Sequence, residues 1–121
     1  AEEGEVIRAL HEKFWTYVVR HRDPRVSLEK AVRNFADKSR VLHRFTWAYQ
    51  GVWAYDYARL PLMAQPALLI QPAEDLAAVS IAAAALMPDC QVRELPDLKD
   101  DIFDVAPARI ASELRAFLDQ R

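Results

Sequence analysis

Two hydrophobic periods divide this chain. Up to about residue 60 apolar side chains recur at helical spacing, and beyond it short continuous or alternating apolar runs take over. In "EVIRALHEKFWTYVVRHR", residues 5–22, Val6, Ile7, Leu10, Phe14, Tyr17 and Val18 share one side of a predicted helix. Glu2, Glu3 and Glu5 at its start and Arg20, His21 and Arg22 at its end suit the helix dipole, and Asp23-Pro24 stops it. Ser27 is placed to cap a second helix carrying Leu28, Ala31, Val32 and Phe35 on one face. A third helix is expected from about Arg40 to Tyr57. It contains "FTWAYQGVWAYDY", six aromatics in thirteen residues. A helix so nearly apolar all round is either buried on several sides or lines a cavity, so at least one of Trp47 and Trp53 is expected to be largely buried.

From Leu60 onward the pattern is strand, helix, strand, helix. "ALLIQ", 67–71, follows Pro66 as a continuous apolar run, the pattern of a strand buried on both faces of a parallel sheet. "LAAVSIAAAALM", 76–87, is rich in the best helix former and is closed by Pro88. "CQVREL", 90–95, alternates as a second strand. Pro107 stands where a last helix begins, with Ile110, Ala111, Leu114, Phe117 and Leu118 as its apolar stripe. The crossover is long enough for a parallel pair, expected to be right-handed. The fold class is therefore α/β and predominantly helical, a helical region over 1–60 followed by a β-α-β-α unit over 61–121. The boundary is placed in "LPLMAQP", 60–66.

Composition narrows the functions open to such a chain. Its 121 residues are 52% hydrophobic and 28% charged, enough for one globular domain and too apolar for disorder. Gly4 and Gly51 are the only glycines, which excludes any Gly-rich phosphate cradle. Cys90 is the single cysteine, so no internal disulfide forms, and a reducing compartment follows. No run approaches the roughly 18 apolar residues of a membrane span, and the acidic start "AEEGEVIR" is unlike a signal peptide. A cytoplasmic, soluble protein with no membrane partner is the expectation.

The net charge of −2 conceals an asymmetry. Residues 20–44 hold eight Lys/Arg against three acids, and residues 89–104 hold six acids against Arg93 and Lys99. The basic residues fall all round helical segments without a recognition motif, so a solvated face, or attraction between the halves, is preferred to nucleic acid.

Candidate chemistry is sparse. His11 and His21 are ten apart, His43 is on another helix, and "HEKFW" lacks the second histidine of H-E-x-x-H, so no metal site and no cofactor are expected. Asp97, Asp100, Asp101 and Asp104 lack the glycine and terminal glutamate of a calcium loop and read as a solvated loop leading into a helix. Cys90, at the start of an apolar strand with no histidine near it, reads as a small core residue. That leaves "PALLIQPAED", 66–75, in which an apolar strand delivers Glu74 and Asp75 at its carboxyl end, where open parallel sheets place their active sites. The same two carboxylates are also placed to cap the following helix.

"LPLMAQPALLIQPAEDL", "ALMPDCQVRELPDLKDDIFDVAP" and "RIASELRAFLDQ", taken in order, resemble the carboxyl-terminal third of the α/β-hydrolase superfamily. That family shows a proline before its penultimate strand, Gly-x-x-Asp at the strand's end, a helix, "LP-x-A", a last strand, "LP-x-x-x-H" and a final helix. The resemblance covers roughly residues 60–121 and implies an ester- or acyl-type hydrolase. It assigns Asp75 to the acid that orients the catalytic histidine. It also implies that residues 1–60 are a helical cap whose Trp47, Tyr49, Trp53 and Tyr55 either pack between helices or contact an apolar substrate, with Trp47, Trp53 and Tyr55 taken as the substrate-binding candidates.

The chain departs from the pattern at three points. Pro72 replaces the glycine, the histidine position falls on Asp100 (or Asp101 if the alignment slips by one), and no Gly-x-Ser-x-Gly elbow surrounds any of the four serines. In the family the strands with the elbow precede the cap, so a Gly-x-Ser-x-Gly upstream of Ala1 would support a hydrolase. A start codon at Ala1 would support the other reading, a free-standing helical module that binds a partner or a hydrophobic ligand. The chain alone is expected to be inert. It is expected to self-associate through the strand edge at 67–71 and the aromatic helix, unless the amino-terminal part of a hydrolase covers both.

Overall fold

The computed structural model describes residues 3–120; Ala1, Arg121 and the first of the expected N-terminal acids, Glu2, lie outside the described residues. The architecture is mostly helical with one short parallel strand pair. Two compact units meet between Tyr55 and Asp56.

The first unit opens with α1, Glu3–Phe14, which continues without a break into a π-helical stretch, Trp15–Arg20. That change of winding overturns part of the expected apolar face. Val18 and Val19 are buried, whereas Tyr17 is 62% exposed. The wider turn advances less per residue than an α-helix, so the stripe extrapolated at the α period drifts off the core. The stop at Asp23-Pro24 is reinforced by Arg22, whose guanidinium donates to the carbonyls of Val19 at 2.9 Å and Val26 at 3.0 Å. Ser27 caps α2, Leu28–Ser39, its Oγ accepting from the Lys30 N–H at 3.1 Å. Ala31 carries the buried side of α2, while Leu28 and Val32 of the expected face are exposed.

The third helix is shorter than expected. Leu42–Arg44 is a 3-10 turn, α3 runs Phe45–Ala54, and Tyr55 in an extended conformation ends it. No residue of α3 is buried, and Trp47 and Trp53 are 64% and 77% exposed, against the expectation that at least one is largely buried. The reason lies in its composition. A helix apolar on every side gives the fold no single face to bury, and one flank suffices to hold it. That flank is a ladder of rings: Phe14 on α1 meets Phe45 edge-on at 4.9 Å, Phe45 meets Tyr49 at 4.8 Å, and Tyr49 meets Trp53 at 5.7 Å.

In the second unit a 3-10 stretch, Tyr57–Leu62, is started by Asp56, whose side chain accepts from the Ala58 N–H at 3.0 Å. Then come β1, Ala67–Pro72, α4, Ala77–Ala84, and β2, Cys90–Leu95. The strands are parallel, in register from Ala67 opposite Cys90 to Pro72 opposite Leu95. Short α5, Ile102–Val105, leads into α6, Pro107–Leu118, with Pro107 at its first turn as expected. Strand alternation gives the sheet two distinct faces. On one, Gln91 reaches Gln120 at 2.8 Å, Arg93 pairs with Glu113 at 3.4 Å, and Leu95 joins Leu98 and Ile110 in the core with Ile70 packed beside them. Against the other, α4 packs on both strands. Ala67–Ile70 are only half-buried, not enclosed as the apolar run implied, because β2 is the only strand paired with β1 among the described residues. No helix of the described residues is long and apolar enough to cross a membrane.

The turn at Asp23 yields a pH prediction. Its carboxylate accepts from the Arg25 guanidinium at 2.8 and 2.9 Å and from the Arg25 backbone N–H at 2.9 Å. These bonds, the side-chain ones first, hold its pKa down from 3.8 to about 2. A carboxyl group depressed on folding stabilises above its unfolded value, so the contribution is complete above pH 3.8 and is lost as the pH falls through about 2. An NMR titration of Asp23 is expected to show its midpoint near 2, moving up toward 3.8 in Arg25→Ala.

Candidate functional site at the carboxyl end of the strands

Parallel strands joined by one crossover end on the same side, so the β1–α4 and β2–α5 loops are neighbours. They are also bonded: the Ala73 N–H donates to the Leu98 carbonyl at 2.8 Å. Leu98 itself is 2% exposed, which anchors the second loop in the core. The two loops carry Glu74 and Asp75 on one side and Asp97, Asp100 and Asp101 on the other.

Beneath them lies Gln71, the last side chain of β1 before Pro72, and at 3% exposed the only buried polar residue of the described chain. Its Nε2 donates to the Pro72 carbonyl at 2.8 Å and to Glu74 Oε1 at 3.2 Å. A buried amide must find such partners, because an unpaired one costs about 1–3 kcal/mol. With Glu94, which projects from β2 on the same face, and Ala77 of α4, Gln71 lines a small open pocket of about 220 Å³.

Asp75 stands outside this network. It is exposed, in the turn after β1, and makes no hydrogen bond or ion pair among the described residues. Neither it nor Glu74 caps α4: Leu76 occupies the N-cap without a side-chain bond, and Glu74 is turned back to Gln71. The expected cap is thus replaced by backbone bonds, Ala77 N–H to the Glu74 carbonyl at 3.1 Å and Ser80 N–H to that of Leu76 at 2.9 Å. Asp100 is half-buried in the facing loop. Asp101 adopts the left-handed conformation, φ 53°, ψ 33°, and its carbonyl accepts from the N–H groups of Asp104 at 2.8 Å and Val105 at 2.9 Å to start α5. Asp97 is ion-paired with Arg109 of α6 at 2.6 Å.

The other candidates are dispersed in the first unit. Trp47 lies under the Arg44 guanidinium, 5.3 Å from its ring centroid, Trp53 ends the ring ladder, and Tyr55 follows α3. Trp47 and Trp53 are six residues apart and project from different flanks, with no ring contact between them among the described residues. Cys90 is half-buried at the start of β2. The site at the strand ends therefore offers carboxylates, a buried amide and backbone groups, and neither of its two loops, 73–76 and 96–101, carries an imidazole or a hydroxyl. Gln71 was not among the residues singled out from sequence, although a lone polar side chain closing an apolar run is a readable signal.

The left-handed residue gives a test. A β-branched side chain is strongly disfavoured in that conformation and glycine adopts it freely. Asp101→Val is expected to lower stability by about 1–2 kcal/mol, and Asp101→Gly by clearly less, in urea unfolding followed by circular dichroism. Comparison of the chain with family models, with curated proteins and with solved structures finds no match.

Proposed function

We propose that the chain is the helical cap and carboxyl-terminal β-α-β-α unit of an α/β-hydrolase-like protein, an ester- or acyl-type hydrolase when intact and inert alone, with Asp75 in the place of the histidine-orienting acid. One observation carries this reading: Asp75 and Asp100 sit on adjacent, mutually bonded loops at the carboxyl end of a parallel strand pair, where such sheets hold their reacting groups. An unpartnered carboxylate is what that role requires, since a triad acid must keep its oxygens for an incoming imidazole. The 121 residues supply neither a nucleophile elbow nor a histidine after β2, where Asp100 and Asp101 stand instead. Carboxylates alone do not perform nucleophile-base-acid chemistry. The pure chain is therefore expected to leave p-nitrophenyl esters unhydrolysed above buffer rates. Turnover that disappears in Asp75→Ala would refute the reading.

The exposed aromatic helix favours a second role, that of an interaction module. Trp47 and Trp53 present large apolar surfaces, and β1 and β2 pair only with each other among the described residues, leaving an apolar strand edge at 67–71. Unpaired edges invite a further strand, and a two-stranded sheet is marginal in water. The chain thus associates with a second copy through that edge and α3, unless the amino-terminal part of a hydrolase covers both. Light scattering at micromolar concentration is expected to give a mass above 13.9 kDa, reduced by Leu69→Pro. A monomer with a cooperative thermal transition would contradict association, and a larger mass indifferent to Leu69→Pro would contradict the edge.

A further inference from the structure

Arg8, Glu12, Thr16 and Arg20 follow one another at four-residue steps along the leading helix. In an α-helix of about 3.6 residues per turn such a row drifts round the cylinder, since four residues overshoot one turn. The π-helical stretch reverses that drift. Its bonds run from residue i to i+5, as between the His21 N–H and the Thr16 carbonyl at 2.9 Å, so the step from Thr16 to Arg20 falls short of a turn. All four side chains consequently line one open groove of about 590 Å³, completed by His11, Trp15 and, from α2, Phe35. His11 and Trp15 each meet Phe35 edge-to-face at 5.1 Å, which makes its wall aromatic.

The two ends of the groove differ in charge. Arg8 is held by Glu5 at 2.9 Å and Glu12 at 2.7 Å, so its charge and that of Glu12 are already satisfied. The Arg20 side chain makes no hydrogen bond or ion pair among the described residues. A cation without a partner among the described residues, a hydroxyl one turn before it and an aromatic wall beside both define an amphipathic ligand. A volume of this order matches small-molecule sites, roughly 300–1,000 Å³.

We propose that this groove binds a small aromatic monocarboxylate, its carboxylate on Arg20 and Thr16 and its ring against Trp15 and Phe35. The site lies wholly in the first unit and does not depend on the hydrolase reading. Bidentate pairing with a guanidinium supplies orientation as well as affinity, and ring contact with Trp15 supplies the rest.

The test is a titration of the ¹⁵N-labelled chain with 3-phenylpropionate, read at the Trp15 indole N–H resonance and assigned with Trp15→Phe. A saturable shift is expected, weakened about tenfold or more in Arg20→Gln, as loss of a charge-assisted bond requires. Glu12→Gln, which removes a negative charge from the groove and one of the two carboxylates on Arg8, is expected to tighten binding at least about twofold. The uncharged 3-phenylpropionamide should bind about tenfold more weakly to the unaltered chain, a comparison that needs no variant to fold. A shift that stays linear across the millimolar range, equal binding of acid and amide, or an Arg20→Gln chain of unchanged circular dichroism and unchanged affinity would each overturn the proposal.

Discussion

Two parallel strands joined through a single helix can finish only on the same side of their sheet, and the second unit depends on that constraint. It brings the β1–α4 and β2–α5 loops together, allows the Ala73–Leu98 bond, and directs Leu98 down onto Leu95 and Ile110. Alternation then divides the labour between faces. Gln91, Arg93 and Leu95 set the position of α6 through Gln120, Glu113 and Ile110, and Gln71 and Glu94 face the pocket beside α4. A shift of β2 by one residue would exchange these two sets, so packing and site share one register.

The first unit is held differently. Its buried residues are few and mostly small, Val18, Val19, Val26, Ala31 and Leu42, and rings carry much of the remaining contact. Phe35 receives His11 and Trp15, while Phe14 receives Phe45 and through it the rest of the α3 ladder. Edge-to-face pairs of this kind contribute about 0.5–1.5 kcal/mol each beyond the area they bury. They leave outer ring faces in solvent, which is how a helix with so many aromatics can be firmly attached and largely uncovered.

Much of this was legible in the sequence. β2 occupies Cys90–Leu95 as its alternation indicated, α6 starts at Pro107, and Ser27 caps α2. These features are local: a proline, a hydroxyl or a period of two decides them within a few residues. What escaped the sequence depended on context. An α period puts Tyr17 on the apolar face, and no residue in "WTYVVR" announces the π turn that moves it off. Trp47 and Trp53 are exposed on an apolar helix because hydrophobicity measures the tendency to be covered and not the presence of a cover. At the candidate site the place of Glu74 and Asp75 just after the strand follows from the sequence, whereas the attachment of Glu74 to Gln71 depends on side-chain reach.

The π-helical stretch also bears on how the chain tolerates a change in length. A π turn holds about one residue more than an α turn, so Trp15–Arg20 is a place where the helix already contains slack. Removing one residue there would let the bonds close as ordinary α turns, with everything before it undisturbed. The same deletion inside α2 would find no slack and would turn the residues beyond it by about 100°, carrying Ala31 away from the core. Within the first unit, then, a one-residue deletion is absorbed at the junction where α1 gives way to wider winding, and is not absorbed inside α2.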